Sequence, residues 1–184
     1  MKKSTFIEIL EDLELSYLDQ GNKIVIDEEG QVDLEGVTEI PSNVCFRNSG
    51  EVYLNEINYL PKGTEFENRG YISLKVVNKI SDGVAFRNRG DVFLPQLGVI
   101  DTQIFFKNAG DISFENLEEI SSPVTFSNGM DIYFLNSKLP KLVKGVIFQN
   151  GRKIVTFNNN LDEILFIQGI RQQRILNCMI KQLY

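Results

Sequence analysis

Apolar and polar positions alternate along the middle of this chain in short bursts that stop and restart at a fixed interval. In one burst Val44, Phe46 and Asn48 share a side; after a glycine, Val52 and Leu54 share a side of a second. A period of two is that of a strand with one face buried, so the pattern predicts two short strands flanking a Gly turn, with Val, Phe and Leu pointing inward. Ile57 and Leu60 follow at a spacing of three, which predicts a tight loop or one 3₁₀ turn as a third side.

The interval is 20 residues. Glycines stand at 30, 50, 70, 90 and 110; Phe46, Phe66, Phe86, Phe106 and Phe126 keep one phase, and Asn48, Asn68, Asn88, Asn108 and Asn128 follow each by two. Val32, Val52, Ile72, Val92, Ile112 and Ile132 form another column, with Leu or Phe two places on. Ile24 and Ile26 open a first coil, and Val146, Phe148, Asn150 and Gly151 begin a seventh after a two-residue insertion, expected to bulge near Gly129-Met130 and 136–140. One unit cannot bury its own apolar edge, whereas stacking units at about 4.8 Å gives a continuous core with ladders of identical side chains. The expected fold is therefore mainly β, a parallel β-solenoid of about seven coils.

Solenoid ends expose strand edges, which predicts caps. Thr5-Phe6-Ile7-Glu8 has the form of a capping box, and Phe6, Ile7, Leu10, Leu13 and Tyr17 lie at helical spacing up to a stop near Gly21. A helical cap is expected over 1–22, the repeat over 23–160, and a second, helical cap over 161–184, where Ile170, Leu176, Met179, Ile180 and Leu183 make an apolar stripe. Residues 163–168 read equally as helix or as a last strand. The three segments form one structural domain.

The run from Val52 to Pro61 followed by Phe-x-Asn-x-Gly resembles leucine-rich-repeat proteins. It is more similar to short F-x-N-x-G-x-V-x-L-x-x-L repeats of uncharacterised bacterial and phage proteins, over about residues 24–160. It departs from L-x-x-L-x-L-x-x-N in that asparagine follows Phe46 by two rather than three and phenylalanine replaces leucine. The resemblance implies a leucine-rich-repeat-like stack and a protein-binding role, by analogy of fold.

Composition narrows the chemistry. The absence of histidine excludes Ser-His-Asp and Cys-His nucleophilic systems and His-ligated zinc. Cys45 and Cys178 lie outside any CxxC or finger spacing, so no disulfide framework, metal site or cofactor is expected. A net charge of −6 is not that of a generic nucleic-acid binder. The first residues place Glu8, Glu11, Asp12 and Glu14 within what would be the apolar region of a signal peptide, which predicts a cytoplasmic protein, and no apolar run is long enough to span a membrane.

The inward Phe, Asn and Gly columns read as structure: packed core, satisfied turn backbone, and a conformational requirement at the turn. Function is expected on the varying outward columns. Along the second strand Asp33, Tyr53, Ser73, Phe93, Ser113 and Tyr133 put aromatics on alternate rungs, with Tyr71 in the adjacent column. Aromatics on a rigid sheet give contact area at little entropic cost. That adjacent column also holds Asp91, Asp111 and Asp131, which repel one another unless a partner or a cation compensates. The first strand carries Arg47, Arg87 and Lys107 in one column and Arg69 and Arg89 in another, interrupted by Glu65 and Glu67; Arg89 near Asp91, and Arg69 one rung away, are expected to pair at the surface.

These columns predict a non-enzymatic, protein-binding solenoid. Tyr53, Tyr71, Phe93 and Tyr133 with Asp91, Asp111 and Asp131 would meet the partner. The role expected is inhibitor or adaptor: a phage anti-defence factor such as an anti-CRISPR protein, acting on a nucleic-acid-associated host complex, or an immunity protein against a toxin. The alternatives are nucleic-acid binding through Arg47, Arg69, Arg87, Arg89 and Lys107, nucleic-acid mimicry by the aspartates, and a small carbohydrate-active hydrolase using the aspartates.

Overall fold

A computed structural model describes residues 1–136, 140–152, 154–156 and 181–182. The chain enters through helix α1 (Lys3–Asp12), a strand β1 (Tyr17–Asp19) and a strand β2 (Ile24–Glu28) antiparallel to it. It then winds as a parallel β-solenoid of about six turns. Its first sheet stacks β2 on Val44–Asn48 and five further parallel strands, ending at Ile147–Asn150. The second runs from Val32–Asp33 through Val52–Tyr53 to Ile154–Thr156. The registers confirm the period, with Ile26 beside Phe46 and Val92 beside Ile112.

The third side is more regular than its sequence spacing suggests. A tight turn, in which Val37 N–H donates to the Leu34 carbonyl at 3.1 Å and Val77 N–H to that of Leu74 at 3.3 Å, leads into two-residue parallel strands such as Tyr59–Leu60 on Lys79–Ile80. Spacing by three reports the turn; the strand after it is too short to show a period.

The insertion lies between Phe134 and Lys141. Asn128 still sits beside Asn108 and Ile132 beside Ile112, whereas Ile120 pairs with Leu142 and Phe126 with Phe148. Gly129-Met130 therefore absorbs no extra residue, contrary to the expectation. Residues 137–139 lie outside the described ones.

Inside, the phenylalanine column is a stack. Phe46, Phe66, Phe86, Phe106, Phe126 and Phe148 follow one another at ring-centroid distances of 4.8–5.1 Å with planes within 16° of parallel. Phe114 meets Phe106 and Phe126 edge-on at 6.2 Å. Such ring pairs contribute about 0.5–1.5 kcal/mol each beyond burial. The asparagine column lines the turn. Asn88 Nδ2 donates to the Gly90 and Gly70 carbonyls at 2.7 and 3.2 Å, while Asn108 and Asn128 each donate to the amide oxygen of the next asparagine at 3.2 Å.

The glycine column has a different cause from the one expected. Gly50, Gly70, Gly90 and Gly110 do not have left-handed φ. A Cβ on Gly70 would instead lie 2.3 Å from the carbonyl oxygen of Gly50, and one on Gly90 2.3 Å from that of Gly70. Close approach of successive coils, not turn conformation, excludes a side chain.

The N-terminal cap is shorter than expected. The helix starts at Lys3, with Lys2 as an extended N-cap that makes no side-chain capping bond, so Thr5 and Glu8 are not a capping box. Docking sets its position: Phe6 and Leu10 are fully buried in the solenoid core. It ends at Asp12 in a Schellman turn, with Leu15 N–H donating to Leu10, Glu14 N–H to Glu11 and Glu14 at φ 56°. Tyr17 is thereby freed from the helix and enters β1, which closes the edge of the first sheet. The expected C-terminal helix over 161–184, including 163–168, lies outside the described residues except for Lys181–Gln182. Those two extend the second sheet as a strand parallel to Ile154–Thr156.

Candidate functional site

The outward face of the second sheet holds the predicted aromatic and acidic residues, and the fold brings them together. Tyr53, Phe93 and Tyr133 stand on alternate rungs of one ladder, because Tyr53 pairs with Ser73, Ser73 with Phe93, Phe93 with Ser113 and Ser113 with Tyr133. All three rings, and Tyr71, are half-buried. Ser73 is fully buried and donates to Asn55 Oδ1 at 2.7 Å.

The tyrosines are tethered. Tyr53 Oη donates to Glu51 Oε2 at 2.5 Å and Tyr133 Oη to Asp131 Oδ2 at 3.3 Å, in each case to the residue just before its own strand. Tyr53 and Tyr71 meet edge to face at 6.2 Å. The hydrogen bond to Glu51 raises the Tyr53 hydroxyl above its ordinary pKa; burial, then the neighbouring Asp111 and Asp131, raises that of Tyr133. These phenols stay protonated donors at neutral pH.

The aspartate column is explained by the backbone. Asp91 Oδ1 accepts the Asp111 N–H at 2.8 Å, and Asp111 Oδ1 accepts the Asp131 N–H at 2.8 Å. Each carboxylate thus ties its rung to the next, which offsets the repulsion along the column. Burial, with Asp91 and Asp131 beside it, still raises the Asp111 pKa. Aspartate suits this position because its short side chain reaches one rung. A carbon on Gly110 would lie 2.5 Å from Asp91 Oδ1.

On the first sheet the predicted cations pair differently from the expectation. Arg47 Nε meets Glu67 at 3.2 Å, and Arg87 and Lys23 both meet Glu65 at 3.1 Å. Arg69, Arg89 and Lys107 make no ion pair among the described residues, so Arg89 does not pair with Asp91. The partners lie about one coil apart, 20 and 22 residues in sequence for the two arginines, and only the register reveals them.

The surroundings of Cys45, and Phe105 altogether, escaped the sequence reading. Cys45 is fully buried, with Glu65 and Glu67 oxygens within 4.8 Å of its sulfur. Desolvation pushes its thiol up to about 11, and both carboxylates are already bound to cations. Phe105, by contrast, is 43% exposed on the first sheet, with the Arg87 guanidinium 5.4 Å from its ring centre. Its column reads Cys45, Glu65, Ala85, Phe105, Thr125, which has no pattern to notice.

Comparison with protein-family models, with curated proteins and with solved structures found no match. The fold itself places the chain among proteins of stacked parallel β-coils with a period near 20 residues. No helix among the described residues is long and apolar enough to cross a membrane.

Proposed function

We propose that this protein is a non-enzymatic binding module that holds one protein partner against the outward face of its second sheet. The observation carrying this reading is the tethering of that face. Tyr53 and Tyr133 are fixed by hydroxyl-to-carboxylate bonds on a sheet whose rungs are themselves joined by Asp91 and Asp111. Ordering costs are met before the partner arrives, which is the condition under which aromatic side chains become binding hot spots. The engagement of Asp91 and Asp111 with main-chain amides favours a structural and electrostatic role over hydrolysis.

An inhibitor or adaptor acting in the cytoplasm fits a small acidic binder of this kind. A phage anti-defence factor, including an anti-CRISPR protein, and a toxin immunity protein are the roles within that class. The test replaces Tyr53, Phe93 and Tyr133 together by Ser and compares affinity capture from a nuclease-treated lysate. The variant is expected to keep its melting temperature and lose the captured protein. Capture at the wild-type level would remove this face from consideration.

A further inference from the structure

The first sheet carries a groove unrelated to the aromatic–acidic face. It lies where the third side turns into the first sheet, spans about 490 Å³, and its lining includes Asp82, Ala85, Arg87, Gln103, Phe105 and Thr125. That volume falls within the range of small-molecule sites. The hollow has a local cause. At the equivalent place one coil earlier, the side chain of Asn43 covers Gly63, whereas a carbon built on Gly83 would meet nothing within 4 Å. Ala85, beside Phe105 in the ladder, adds only a methyl group, and Thr125 flanks Phe105 on the other side.

Phe105 therefore stands as an exposed ring between two small neighbours. One cation lies against it and a second stands further along the strand. Arg87 lies 5.4 Å from the ring centre, and Lys107, two residues along the same strand, projects from the same face. Lys107 has no ion pair among the described residues, and Arg87 shares Glu65 with Lys23. Gln103 and Thr125 side chains make no hydrogen bond among the described residues, while Asp82 Oδ1 accepts the Gln103 N–H at 3.2 Å.

A flat hydrophobic ring, an uncommitted amide and hydroxyl beside it, one cation in the groove's lining and a second two residues along the strand match the parts of a nucleotide. The base has a π-face for Phe105 and polar edges for Gln103 and Thr125; the phosphate suits Arg87 and Lys107. We propose that this groove binds a nucleotide unit, its base stacked on Phe105 and its phosphate held by Arg87 and Lys107. A free nucleotide and one residue of a single strand share this chemistry.

The probes are etheno-AMP, read by fluorescence, and fluorescein-labelled single-stranded DNA and RNA, read by anisotropy at two salt concentrations, with the full chain. Binding of etheno-AMP no weaker than of the strands assigns the groove to free nucleotides. Tighter, salt-sensitive binding of a strand assigns it to single-stranded nucleic acid. In either case Phe105→Ser should weaken binding by about 5- to 150-fold, the effect of removing one stacked base. Ala85→Glu should abolish it by filling the hollow with a charge, and Phe105→Tyr should retain it. Lys107→Gln should lower the strand's salt slope by about 1. Because Phe105 and Lys107 are exposed, melting curves of their variants should match the wild type. The proposal is overturned if neither probe binds the wild type at up to about 1 mM, or if Phe105→Ser and Ala85→Glu bind as the wild type does. These residues lie outside the second-sheet face, so either outcome leaves the protein-binding reading untouched.

Discussion

Replacing Gly70 by alanine and Gly30 by alanine makes the same chemical change in the same column of the repeat, yet the two should behave oppositely. At Gly70 the new carbon would lie 2.3 Å from the Gly50 carbonyl oxygen and 2.5 Å from its carbon. An ordinary contact requires about 1 Å more. The obstructing atoms are backbone, and they sit within a ladder whose neighbouring bonds, Val52 N–H to Tyr71 O and Ile72 N–H to Asp91 O, are both 2.8 Å. The coils must separate locally, at a cost near the upper part of the 1–3 kcal/mol typical of overpacking, about 2–3 kcal/mol. At Gly30 no coil lies above. Its added carbon would meet only Glu28 Oε1, at 4.0 Å, and its φ is not left-handed. There the loss of unfolded-state freedom should leave stability unchanged or raise it by up to about 1 kcal/mol. For a chain of this size a loss of about 2–3 kcal/mol lowers the melting temperature by about 4–12 °C. Calorimetry and urea unfolding followed by circular dichroism would measure both variants. Equal losses at the two positions would refute close stacking as the reason for the glycine column.

Other expectations follow from the same geometry. Phe86→Ala, which removes a ring stacked 4.9 Å and 4.8 Å from its neighbours, should cost about 3–5 kcal/mol in urea unfolding, whereas Phe105→Ala on the next rung should cost under about 1 kcal/mol. In a Cys178→Ser background the buried Cys45 thiol, raised to about 11, should react with a disulfide reagent at neutral pH only as fast as the fold opens; immediate stoichiometric labelling would contradict its burial. Because the Asp111 pKa is raised in the folded state, the native protein holds that proton more tightly than the unfolded chain. Stability should therefore fall as pH rises from the ordinary aspartate value of about 3.9 through the raised one. Asp111→Asn keeps an oxygen for the Asp131 N–H and should lose this dependence, so parallel melting profiles against pH for the two proteins would disprove it.

The winding and the core were legible in the sequence because they are set by identity at fixed spacing. Phe46 predicts Phe66, Phe86 and Phe106 beneath it, and each is buried. What was hidden depends on relations between coils that no single column displays. The requirement for glycine was readable, but its cause, the carbonyl of the preceding coil, appears only on stacking. The aspartates showed in sequence as a column of repulsion; their bonds to the next rung's amides depend on side-chain reach. Arg47 and Arg87 were found, but their partners Glu67 and Glu65 had looked like interruptions of the basic column. The helix boundary was misplaced because Thr5 and Glu8 offered a local signal, while burial of Phe6 and Leu10 against the core set the actual start. Phe105 was missed because it repeats nothing.

The most direct test of the proposed binding face places a photo-crosslinking amino acid, p-benzoylphenylalanine, at Ser113 or at Ser127. Ser113 lies between Phe93 and Tyr133 on the second sheet, and Ser127 projects from the first. The account predicts one protein crosslinked through position 113 in nuclease-treated lysate, and none through position 127. A protein crosslinked through 127 and not through 113 would contradict it.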